Sequence, residues 1–174
     1  MVISSIRNRR SIRKFSNTPV EKEKLDIIVE AALRSPSSMG RDPWEFIVVE
    51  DKDVLSKLSL AKPHGSSFLK GAGLGIVVCA DKNKSDVWIE DTSIASAFVL
   101  LTAESLGLGA CWIQIRRRNH SDELTAAEYV SDILDIPDNF EVLSIIAAGY
   151  PGEEKSPHKK ETLKYERIHF NRYM

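Results

Sequence analysis

The sequence predicts an α+β fold, a mostly four-stranded sheet with helices packed on it. Three observations carry that expectation. Four short runs rich in β-branched residues are separated by stretches with helical spacing of apolar positions. A length of 174 residues suits one hydrophobic core and leaves little room for a second. No linker, internal repeat or low-complexity run divides the chain, so residues 1–174 read as a single domain.

The elements follow in order. Thr18-Pro19-Val20-Glu21 has the form of a helix start, with Thr18 as N-cap and Pro19 at the first helical position. Leu25, Ile28, Val29, Ala32 and Leu33 then recur on one face until Ser35-Pro36 ends the run. Phe46-Ile47-Val48-Val49 reads as a buried strand, followed by a short helix after Asp51 with Val54, Leu55 and Leu58 inward. Residues 74–80 form the next strand. Residues 91–106 form the longest helix, apolar or small around most of its circumference, which calls for burial on several sides or at a subunit interface. Gly107-Leu108-Gly109 ends it, residues 110–115 make a third strand, Ser121 caps a helix carrying Leu124, Ala127, Val130, Ile133 and Leu134, and residues 142–148 make a fourth strand.

Composition removes several function classes. Apolar residues at 43% and charged residues at 28% indicate a globular chain without a disorder signal. The net charge of −1 means that any basic patch is local, which argues against a nucleic-acid protein even though Arg116-Arg117-Arg118 forms a basic run. No apolar stretch approaches the roughly 20 residues that span a bilayer, and charges interrupt the N-terminus throughout, so neither a membrane nor a secretory role is expected. Cys79 and Cys111 lie in apolar runs and read as reduced thiols of a cytoplasmic protein. His64, His120, His158 and His169 share no metal-ligand spacing, so no metal is expected.

Two basic clusters stand near opposite ends, Arg9-Arg10-Ser11-Ile12-Arg13 and Pro157-His158-Lys159-Lys160. Guanidinium forks beside a small hydroxyl match phosphate oxygens, so a phosphorylated ligand is the first functional reading. The bland reading is a targeting peptide or a solvated helix face, since residues 1–14 hold five basic and no acidic residues. Gly71-Ala72-Gly73-Leu74-Gly75 precedes a strand instead of following one, which argues against a dinucleotide fingerprint. Two Ser-x-x-Lys matches, at Ser11 and Ser67, lack the companion motifs of serine acyl-transferases. Residues 35–44 break a helix and offer hydroxyls and amides ahead of Pro43-Trp44. In residues 107–114, glycines would let backbone approach a flat ligand beside an apolar strand end.

Taken in order, Arg-Arg-Ser-x-Arg, Pro-Ser-Ser…Pro-Trp, a long apolar helix ending Gly-Leu-Gly-x-Cys-Trp, then Gly-Tyr-Pro and a basic tail closely resemble the FMN-dependent nitroreductase family over nearly the whole chain. The resemblance implies an intertwined α+β homodimer around a mixed, mostly antiparallel sheet, with two FMN sites at its interface and the tail from about residue 152 reaching toward the partner. It implies that Arg9, Arg10, Ser11 and Arg13 hold the FMN phosphate, ribityl chain and pyrimidine edge, with Lys159 or Lys160 completing the phosphate grip. Pro36, Ser37 and Ser38, with Arg34 and Met39, would reach the flavin of the other subunit. Trp112, Ile113 and Gln114 match the strand end along the flavin ring, where a backbone amide meets N5. The implied activity is ping-pong transfer of two electrons from NADH or NADPH to a nitroaromatic, quinone or enone, with flavin N5 in place of any catalytic side chain. The alternative is a non-catalytic FMN carrier or redox sensor. Many relatives carry Asn and Gln where this chain has Gly40 and Asp42, so Asp42 is expected either to disfavour anionic substrates or to pair with Arg41.

Overall fold

The computed structural model describes residues 2–173, so Met1 and Met174, the ends of the expected domain, lie outside the described residues. A short helix α1 (Val2–Asn8) opens the chain and buries no residue, leaving Val2, Ile3 and Ile6 exposed. Helix α2 (Lys22–Leu33) starts three residues later than the Thr18 signal suggests, with Glu21 at its N-cap. Thr18 is spent instead on a local contact, its Oγ1 lying 3.1 Å from Ser16 Oγ. Ile28 and Ala32 are buried as expected, whereas Leu33 is exposed.

Strand β1 (Trp44–Val49) leads to α3 (Lys52–Leu58), where the Asp51 carboxylate accepts the amides of Asp53 and Val54. Strand β2 (Leu74–Asp81) follows, then α4 (Trp88–Ser105), β3 (Gly109–Gln114), α5 (Ala126–Leu134) and β4 (Phe140–Gly149). The cap of α5 is Thr125, in a reciprocal capping box with Glu128, and not Ser121. Ser121 makes a separate turn four residues earlier, its Oγ accepting the amides of Glu123 and Leu124.

The sheet order is β1-β2-β4-β3, and all three ladders are antiparallel. The parallel component of the expected mixed sheet is one bridge, Ser11 to Ala110. Helices cover both faces. Leu55, Leu58, Leu69, Ile113, Ile115, Val130 and Ile145 pack on one face, and Ile28, Leu74, Ile76, Val99, Leu108 and Ile146 on the other. Because side chains alternate across a strand, β3 sends Ile113 to the first face and Trp112 to the second.

Helix α4 lies against α2, α1 and the sheet, burying Asp91, Thr92, Ala95, Ser96, Val99 and Ala103. Its far side is uncovered: Ile94 is 41% and Phe98 38% exposed. Gly107 takes a left-handed φ of +75° and turns the chain out of α4 into β3. Both cysteines are free and buried. Burial, with Glu45 adding to it, pushes the Cys79 thiol up to about 12. No helix among the described residues is long and apolar enough to cross a membrane.

Candidate functional site

After α1 the chain runs as an extended arm laid on the start of β3 and on the segment leaving β4. The Ile12 amide donates to the Ala110 carbonyl at 3.1 Å. Gly109 permits this approach, since a Cβ there would stand 2.8 Å from Ile12. The expectation that this glycine makes room for a flat ligand is therefore corrected: it makes room for the arm. Further along, Ser16 donates to the Tyr150 carbonyl and Gly152 to that of Lys14. Glu153 accepts the amides of Arg13 at 2.6 Å and Lys14 at 3.2 Å. Lys155 closes the clasp, 3.0 Å from Glu153 and donating to the Ser11 carbonyl at 2.8 Å. The Arg13 amide first and Lys155 second hold the Glu153 carboxyl down at about 2.

This clasp places the expected basic residues. Arg9 and Lys160 line one cavity of about 670 Å³ with Arg7, His158 and Tyr165. Lys159 does not line it and stands exposed at the cap of a short 3-10 turn, Lys160–Thr162. Arg10 is structural, its guanidinium donating to the Ser156 carbonyl. Arg13 lies over the Phe68 ring at 5.7 Å. Burial raises the Cys111 thiol against the opposing influence of Arg13 and then of Ser11. No carboxylate pairs with Arg9, Arg13 or Lys160 among the described residues.

Strand β3 is a sheet edge. The alternation that turns the Ala110 carbonyl outward to Ile12 also turns outward the amides of Trp112 and Gln114. The Trp112 indole donates to Gln114 Oε1 at 3.0 Å, and Gln114 Nε2 donates to the Arg116 carbonyl. Ile113 is 1% exposed, so its side chain belongs to the core. Arg116 stacks over Trp88 at 5.5 Å.

Residues 34–42 sit elsewhere. The Ser38 amide donates at 2.9 Å to Asp91, a buried carboxylate at the start of α4 that also accepts from Ser85. Ser37 donates to Asp42 and accepts the Asp42 amide in return. The expected Asp42–Arg41 pair does not form, because Arg41 reaches Asp86 at 3.1 Å. Met39 is exposed with a φ of +55°, Pro36 is exposed, and Arg34 folds back onto Glu30.

The two halves of the expected site are thus apart in one protomer. Residues 34–42 lead into β1 at one sheet edge and adjoin the start of α4, whereas the arm lies on β3 at the other edge, with Arg10 sharing a cavity with Glu104 near the end of α4. Thirteen helical residues and three strand spacings separate them, about 20 Å along the helix and about 14 Å across the sheet. Sequence reasoning missed Phe68, Asp91, Glu153 and Lys155. The only local trace of the last two is the charged run directly after Gly-Tyr-Pro-Gly.

A basic arm laid on one edge of an antiparallel sheet, with helices on both faces and with Arg9 and Lys160 lining one cavity, defines an α+β protein with a basic site. The chain belongs to the Nitroreductase family, whose model matches residues 6–63 and 59–150. It is similar to an FMN-dependent nitroreductase from Clostridium difficile, with a TM-score of 0.97 and 49% identity over 98% of this chain and 99% of that one. A protein of Methanothermobacter thermautotrophicus, provisionally named an NADH dehydrogenase/NAD(P)H nitroreductase, is 35% identical over 99% of this chain and 87% of its own length. The structure of a Vibrio harveyi NADPH:FMN oxidoreductase complexed with NAD+ matches with a TM-score of 0.84 at 25% identity, over 99% of this chain and 78% of that one.

Proposed function

We propose that two copies of this chain bind FMN at their interface and pass two electrons from NADH or NADPH to a small organic acceptor of the nitroaromatic, quinone or enone class in a ping-pong sequence. The observation that carries the reading is a cavity of about 670 Å³ lined by Arg9 and Lys160, neither of them ion-paired among the described residues, with Arg13 also unpaired further along an arm laid on the start of β3. Unpaired guanidinium and ammonium groups around a cavity of about 670 Å³ fit a phosphate ester, and outward amides beside an apolar strand fit a ring with polar edge atoms. FMN, when bound, supplies the hydride acceptance and two-electron return that no side chain of this site offers.

The chain's own residues bind and orient. Arg9 and Lys160 hold the phosphate, with Lys159 on the outer side. Arg10 and Ser11 shape the turn that carries them, and Arg13, braced on Phe68, places positive charge at the pyrimidine edge. Trp112 and Gln114 present their amides along the ring, and Ile113 anchors the strand from the core. Pro36, Ser37, Ser38 and Met39, with Arg34, reach the site from the second copy, a reading supported by their distance from the arm within one protomer. Residues 152–174 extend over the partner; in one copy they leave Leu163, Tyr165, Ile168, Phe170 and Tyr173 exposed. Residues 1–174 act as a single domain in the cytoplasm.

The test is the visible spectrum of the purified protein under anaerobic conditions, before and after NADH or NADPH. A flavin spectrum that bleaches supports the oxidoreductase. Bound flavin that stays oxidised favours a carrier or sensor, and protein unable to take up FMN overturns the proposal.

A further inference from the structure

The cavity lined by Arg9 and Lys160 is larger than the single phosphate they are proposed to grip. Its volume of about 670 Å³ falls in the range of about 300–1,000 Å³ that houses a whole drug-sized ligand. One wall is helix α1. Ile3, Ile6 and Arg7 stand at i, i+3 and i+4, so one helix face presents two apolar side chains and a guanidinium to the cavity. The Arg9 amide donates to the Ser5 carbonyl at 2.9 Å, which continues the last turn of that helix and sets Arg9 at its end.

The opposite wall is the tail, where His158, Leu163 and Tyr165 line the cavity with Lys160. Successive tight turns shape it: the Leu163 amide donates to the Lys160 carbonyl at 3.2 Å, and the Tyr165 amide to that of Leu163 at 3.0 Å. Arg10, donating to the Ser156 carbonyl, ties the arm after α1 to the start of the tail. A phosphate alone leaves much of this lining unused. No ion pair engages Arg7 or His158 among the described residues, so a further guanidinium and an imidazole face the cavity. Ile3, Ile6, Leu163 and Tyr165 are each between 45% and 59% exposed, so an apolar wall stays uncovered beside these polar groups. A ligand that fills the space carries a second anionic group and a flat, weakly polar end.

We propose that the cavity takes the adenylate half of FAD, so that this site binds FAD as well as FMN. The inference rests on the reading that Arg9 and Lys160 hold the flavin phosphate. In FAD that same phosphate is joined to AMP, so the adenylate has to lie in the space adjoining the grip, and the cavity is that space. Arg7 and His158 meet the second phosphate with donors matched to its oxygens. Tyr165 offers its ring to the adenine, since stacking on an aromatic side chain is a general source of affinity for a base.

The test is a competition between the two flavins. Full-length protein is equilibrated with equimolar FMN and FAD and freed of unbound flavin by gel filtration, and the bound flavins are separated by chromatography and quantified. Wild type should hold FAD within about tenfold of FMN, because the second phosphate and the stacked base offset the cost of ordering the adenylate. Arg7→Met and Tyr165→Ala should each lower the ratio of bound FAD to bound FMN about tenfold, while Arg7→Lys retains most of it. Wild type that holds FMN and excludes FAD overturns the inference and leaves the FMN reading standing. A ratio unmoved in either Arg7→Met or Tyr165→Ala overturns it as well, since the adenylate then lies elsewhere. If FAD is held and the ratio falls in both variants, but neither NADH nor NADPH bleaches the bound flavin, the inference stands and the oxidoreductase reading fails. Protein that takes up neither flavin overturns both.

Discussion

The Glu153 carboxylate receives the main-chain amide of Arg13 at 2.6 Å across 140 residues of sequence. That contact anchors the arm carrying Arg9 to Arg13 on the segment that leads into the basic tail, and Arg9 and Lys160 line one cavity. Lys155 doubles the connection through the Ser11 carbonyl.

The clasp has a definite pH dependence. The Glu153 carboxyl is held at about 2 in the folded protein, below its ordinary value near 4.5, so folding favours the ionised form. The stabilisation is fully present above the ordinary value and is lost as pH falls toward the folded one. Glu153→Gln should therefore lower Tm at neutral pH, and the gap to wild type should narrow as thermal melts are taken at decreasing pH below about 4.5. A gap that widens in acid would contradict the assignment.

Arg9→Ala and Arg13→Ala should each weaken FMN binding by about 10-fold to 100-fold, since a hydrogen bond to a charged group contributes about 1.5–3 kcal/mol. Flavin fluorescence quenching measures this directly. A doubly substituted protein that retains FMN fully would refute the placement.

Asp91 has no solvent to replace the hydrogen bonds it accepts from Ser38 and Ser85. Asp91→Ala should destabilise the fold by about 2 kcal/mol, the cost of leaving buried donors unmet, as read by urea denaturation. Ser38→Phe should instead leave stability nearly intact and impair flavin uptake, as the proposed sharing of residues 37–39 with the neighbouring copy requires. Normal occupancy in Ser38→Phe would count against a shared site.

Phe98 and Ile94 expose an apolar stripe along α4 that the protomer does not cover. Gel filtration should give twice the monomer mass for the wild type. Phe98→Glu should shift elution to the monomer and release FMN with it. A flavin-loaded monomer in either protein would exclude the interface site.

Much of the fold was legible because its signals are local. The four strands appear as short apolar runs, α3 as Asp51 followed by Val54, Leu55 and Leu58, and the end of α4 as Gly107. Helix starts were less legible where two capping residues compete. Thr18 and Ser121 carry cap chemistry, yet the chain uses Glu21 and Thr125, and Thr125 completes a capping box with Glu128 while Thr18 is held in a local contact with Ser16. In the site, the basic residues were legible by type, but the Asp42–Arg41 pair and the space at Gly109 were misread. Arg41 is drawn off by Asp86 and the space at Gly109 is taken by Ile12, and both depend on contacts between distant segments.

By itself, then, the order of residues determined the α+β class, the four strand runs and the presence of two basic clusters. Periodicity and turn chemistry act over a few residues and survive without knowledge of the rest of the chain. Only the tertiary structure decided that Glu153 and Lys155 clasp the arm, that Lys160 and not Lys159 joins Arg9, and that residues 36–39 stand far from the arm. Those pairings depend on sheet order and on where loops close over the core, which is settled by the packing of the whole molecule and leaves no mark in any short stretch of sequence.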